Sequence, residues 1–122
     1  MKSTTPRRGA TGMVLPNLQA KMKYGRVFPK LTLEQLHEIV CMLGPDSPFV
    51  VVDRLDTPDG QQFAQALRRP DGIWIVEYRD GGRTRHYQAE VSGPGIVYQV
   101  LAGWALGLPG WRERLTWRPV YH

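Results

Sequence analysis

The chain has 122 residues, 42% hydrophobic and 10% aromatic, which suits one globular domain with one core. A single cysteine, Cys41, excludes an internal disulfide and a cysteine-based zinc site, and no apolar run reaches the roughly 18 residues of a membrane-spanning helix. The net charge of +5 is uneven: residues 1–33 hold seven bases and no acid, while the remainder sets nine arginines against eleven acids, a net of −2. The folded part is therefore close to neutral, which weighs against the domain itself as a nucleic-acid binder.

Residues 1–28 read as a basic, flexible segment, rich in Ser, Thr, Pro, Gly, Lys and Arg, with too little apolar surface to offset the entropy of ordering. It is either a solubilising tail or an arm touching nucleic acid or an acidic partner through Arg7, Arg8, Lys21, Lys23 and Arg26. It lacks the apolar stretch of a signal peptide, also after Arg7-Arg8, so a cytoplasmic location is expected.

Residues 29–122 read as a single α+β domain. Thr32-Leu33-Glu34-Gln35 is a capping box, followed by a helix to about Leu43 that Gly44-Pro45 stops. Cys41 lies in its apolar pattern as a buried, inert thiol. Phe49 to Leu55 is a β-rich run, and Gln61 to Arg69 a second after the turn at residues 56–60. Pro70-Asp71-Gly72 then leads into a hairpin over Ile73–Val91, centred on Gly81-Gly82.

A two-residue loop there sets Trp74 opposite Ala89, Tyr78 opposite Arg85 and Glu77 opposite His86. Trp74, Val76, Tyr78, Tyr87, Ala89 and Val91 then share a core face. With Arg68 opposite Ile73, Phe63 and Leu67 join that face, while Val50, Val52, Ala64 and Ala66 fall on the other. Gly93-Pro94 opens a second helix with a stripe from Val97 to Leu108, and Trp111 to Val120 ends the chain as a short strand packing back on the core. The expected architecture is a four-stranded antiparallel meander with two packing helices and a short C-terminal strand.

No catalytic constellation stands out. Glu77 opposite His86 is the only acid–histidine pairing, and no nucleophile or phosphate loop accompanies it. His37, His86 and His122 are too dispersed for a metal site, so no cofactor is expected. Arg68, Arg69, Arg79, Arg83 and Arg85 near the hairpin tips are interleaved with acids, and no RNA-binding signature is present. A mixed-charge sheet face carrying Glu77, Arg79, His86 and Gln88 fits a protein partner better.

Further motifs point the same way. F-x-Q-A at Phe63–Ala66, W-x-V-E-Y-R-D-G at Trp74–Gly81 and H-Y-Q at His86–Gln88 precede W-A-x-G at Trp104–Gly107 and G-W…L-x-W at Gly110–Trp117. Together, over roughly residues 49–118, they resemble the Imm-type immunity proteins of bacterial toxin systems and related small uncharacterised actinobacterial proteins. The resemblance implies a cytoplasmic, non-enzymatic α+β protein that binds and neutralises a cognate toxin. It carries over no binding residue, because such surfaces diverge with the toxin. The alternative function is a small nucleic-acid-associated protein using its basic N-terminal arm.

Overall fold

The computed structural model describes residues 13–120 except residue 59, so Arg7, Arg8 and His122 lie outside the described residues. The chain forms β1 (Leu18–Met22), β2 (Val27–Phe28), α1 (Leu33–Met42), β3 (Phe49–Arg54), β4 (Gln62–Arg68), β5 (Trp74–Asp80), β6 (His86–Val91), α2 (Pro94–Leu106) and β7 (Arg118–Pro119). One sheet contains all seven strands in the order β2-β1-β3-β4-β5-β6-β7, and every pair is antiparallel. The expected meander β3–β6 is its centre.

The sheet is wider than expected because the segment assigned to a flexible tail supplies β1 and β2. Leu18, Ala20 and Met22 point into the core and Gln19 and Lys21 away from it, a period-2 alternation that buries one side of a strand. β1 pairs with β3 over five positions. The β1–β2 turn passes through Tyr24 at φ 66° and Gly25 at φ 76°. A side chain in this left-handed region costs roughly 1 kcal/mol, and Tyr24 is 84% exposed.

Two registers differ from expectation, with opposite consequences. Between β5 and β6, Trp74 faces Val91, Tyr78 faces Tyr87 and Arg79 faces His86. The loop is longer than Gly81-Gly82, since Arg83–Arg85 form a 3₁₀ turn closed by the Arg85 amide donating to Gly82 O at 3.0 Å. That shift is two residues, so each side chain keeps its expected face.

Between β4 and β5 the shift is one residue. Arg69 N–H donates to Ile73 O at 2.9 Å, and the Asp71 carboxylate accepts from the Ile73 amide at 3.0 Å. The connection is thus the three-residue Pro70-Asp71-Gly72 loop, and Arg68 faces Trp74. A slip of one exchanges the faces of a strand. Ala64 and Ala66 join Val50, Val52, Val76 and Tyr78 in the core, while Phe63, Gln65 and Leu67 turn to the other side.

Both helices cover this core face. α1 starts at the expected capping box, with Thr32 Oγ1 accepting from Gln35 N–H at 3.0 Å and Gln35 Oε1 accepting from Thr32 N–H at 3.1 Å. It contributes Leu36, Ile39 and Val40 to the core, and α2 contributes Val97, Val100, Leu101 and Trp104. Cys41, expected to be buried, is exposed on α1, because the buried stripe runs through residues 36, 39, 40 and 43. At the end of α2, Gly107 at φ 66° closes the helix, with Leu108 N–H donating to Gly103 O at 2.9 Å. The chain then folds back, as expected, with Trp111, Leu115 and Trp117 packed against the core. Among the described residues no helix is long and apolar enough to cross a membrane.

Gly103 is what lets that return pass close to α2. A Cβ there would lie 2.6 Å from Trp111 Cβ. Gly103→Ala gains helix propensity worth about 1 kcal/mol, yet displacing Trp111 costs on the order of 1–3 kcal/mol. A lower denaturant midpoint is therefore expected. Tyr24→Asn, which tolerates the left-handed turn, should raise stability by up to about 1 kcal/mol in the same assay.

Candidate interaction surface on the helix-free sheet face

Because both helices lie on one side, no helix among the described residues covers the opposite face of the sheet. Its side chains fall in transverse rows fixed by the registers. One row reads Gln19, Asp53, Phe63, Arg79 and His86, and the next Val27, Lys21, Val51, Gln65, Glu77, Gln88 and Arg118. A third, apolar row is Phe49, Leu67 and Ile75, ending at Glu90. The face thus grades from apolar at one end to charged at the other.

The charged end is tightly organised. Arg79 Nε–H donates to His86 Nδ1 at 3.2 Å, and His86 Nε2 lies 2.5 Å from Glu77 Oε1. A guanidinium has no acceptor, so Nδ1 must offer its lone pair and the ring proton sits on Nε2, donating to the carboxylate. The Glu77–His86 contact, expected between directly opposite residues, is instead a diagonal one. Phe63 packs edge-on to the imidazole with centroids 5.5 Å apart, and the Arg79 guanidinium lies 5.2 Å from the Phe63 ring centre. Arg79 also donates to Gly60 O at 3.3 Å. A long side chain that would otherwise sample many rotamers is held flat on the sheet.

Of the four expected contact residues, Glu77, Arg79 and Gln88 are partly accessible on this face, whereas His86 is only 3% exposed. His86 is therefore a positioning group beneath the surface. Phe63, Val51 and Leu67 belong to the face and were not among the expected contacts. The signal for them was the three-residue turn at Pro70-Asp71-Gly72, which sets the β4 register.

The bases expected for nucleic-acid contact are dispersed. Lys21 lies on the helix-free face 3.7 Å from the Asp53 carboxylate, while Lys23 and Arg26 sit at the β1–β2 turn over Tyr24 and Phe28. Arg69 pairs with Asp71 at 2.6 Å and Arg85 with Asp80 at 2.8 Å. Arg68 donates to Leu43 O at 2.9 Å, at the C-terminus of α1. His37 stacks edge-on to Tyr98 between the helices. Among the described residues no group of three or more His, Cys, Asp or Glu side chains is placed to hold a metal ion.

The hydrogen-bond chain has a direct spectroscopic signature. Long-range ¹H–¹⁵N correlations should show His86 as the Nε2–H tautomer, with Nδ1 unprotonated. Glu77→Ala removes a charged acceptor and should cost about 1.5–3 kcal/mol, and Glu77→Gln, which keeps an acceptor oxygen, distinctly less in denaturant unfolding. In comparisons with known protein families, curated proteins and solved structures, no match to this chain was found.

Proposed function

We propose that the chain is a non-enzymatic protein-binding module that docks its partner on the helix-free sheet face, most concretely by neutralising a cognate toxin. The observation that carries this reading is the preorganised Glu77–His86–Arg79–Phe63 group on the sheet face that no described helix covers. Charges of both signs, held in fixed rotamers beside Val51, Phe63 and Leu67, supply orientation and an apolar centre at low ordering cost. Gln88 offers amide donor and acceptor groups in the adjoining row. The resemblance of the chain's motifs to those of immunity proteins is what points to a toxin as the partner.

The experiment is co-expression with a toxin encoded directly beside the gene, followed by titration calorimetry on the purified pair. Arg79→Glu or Phe63→Ala should weaken binding by at least about ten-fold, the scale of a central contact residue, and abolish protection of the cell. Deleting residues 2–12, which removes Lys2, Arg7 and Arg8 and none of the described residues, should change neither. Loss of binding on that deletion, together with steep salt dependence and recovered nucleic acid, would favour the basic-arm reading instead.

A further inference from the structure

On the helix side of the sheet, the opposite face from Glu77 and Arg79, a second polar site lies where the ends of β3 and β5 meet the end of α2. It is a cleft of about 160 Å³ lined by Arg54, Gln62, Asp80, Trp104, Trp111 and Arg112, among others. That is several times the roughly 30 Å³ a water occupies in the liquid, room for a small polyatomic group.

Two guanidinium groups meet this cleft, and each is fixed by its face. Arg54 stacks on Trp104 at 4.3 Å, and one of its nitrogens donates to Trp104 O at 2.7 Å. Arg112 lies 5.2 Å from the Tyr78 ring centre and 5.5 Å from that of Trp111. Stacking occupies the flat face of a guanidinium and leaves its edge N–H donors directed outward.

The local carboxylate does not use them up. Asp80 is held by Arg85 at 2.8 Å, with Arg112 more distant at 4.0 Å. Arg54 has no carboxylate within 4.0 Å among the described residues. Burial pushes its guanidinium below the ordinary value, a pull that Asp56 and Asp80 oppose from further away. A partly desolvated cation with unused donors, beside a second cation and the Gln62 amide, matches an anionic group with several acceptor oxygens.

We propose that this cleft binds a compact oxyanion, a phosphate monoester group or a carboxylate, bridged by the edges of Arg54 and Arg112. Calorimetric titration of the full chain with inorganic phosphate and, separately, acetate at constant ionic strength tests it. Saturable binding of phosphate alone identifies a phosphate monoester as the natural group, and of acetate alone a carboxylate. Arg112→Gln, at an exposed position that leaves the α2 end capped, should weaken binding at least about ten-fold with unchanged circular dichroism. Arg54→Lys, which keeps the charge but not the fork, should weaken it as well. Arg83→Gln, an exposed arginine that does not line the cleft, should bind as the parent protein does. Absence of saturable binding by either anion, or undiminished binding by Arg112→Gln, would overturn the assignment.

Discussion

The whole arrangement rests on the flat, small-residue centre of the core face. Ala20, Ala64 and Ala66 are at most 2% exposed, in rows that continue into Val50, Val52 and Val76. Alanine rises only one carbon above the pleat, so both helices can settle on the same side of the sheet. Their larger residues, Leu36, Ile39, Val97 and Leu101, fill the space above. Once two helices occupy one side, the other is left to the side chains of the strands themselves. The helix-free face is thus a consequence of how the core is packed.

The helices are tied down by the same chemistry at both ends of the sheet. Arg68, at the end of β4, donates to Leu43 O, the residue that caps α1, and Arg54, at the end of β3, donates to Trp104 O in the last turn of α2. Each guanidinium also lies against a tryptophan, Trp74 and Trp104 respectively. A cation at a helix C-terminus gives its terminal carbonyls a further donor and opposes the negative end of the dipole. Neither helix carries a basic residue in its own last turn, so the sheet supplies the charge that the helices lack.

What was legible in the residues followed the strength of the local signal. The capping box at Thr32 and the Gly93-Pro94 start set where the helices begin through short-range hydrogen bonding and steric rules, and they appear where expected. β1 was hidden because its alternation spans only five residues within a basic, proline- and glycine-bearing stretch. Its stability comes from pairing with β3, a contact distant in sequence. Register was the least legible feature, since it turns on whether Arg68 or Arg69 opens the turn, a choice settled by Asp71 accepting from the Ile73 amide. That single residue decided which side received Phe63 and Leu67. The charged group on the helix-free face survived the misread hairpin only because that error was even.

The C-terminal return has a similar logic and explains why a glycine sits inside α2. Trp111 crosses the helix at Gly103 and then meets Tyr78, 5.0 Å away between ring centres, while Trp117 meets the same tyrosine at 4.8 Å. The Trp117 indole N–H donates to Arg112 O at 2.7 Å, closing the turn on itself. Arg112 is thereby delivered to the cleft beside Arg54. An anion there must contend with the C-terminal end of α2, whose partial negative charge is about half an electron. Arg54 already covers that end through Trp104 O, and Arg85 holds Asp80. The helix end and Asp80 are thus each met by a guanidinium, Asp56 acts on Arg54 from further away, and Arg112 adds a second cation at the cleft.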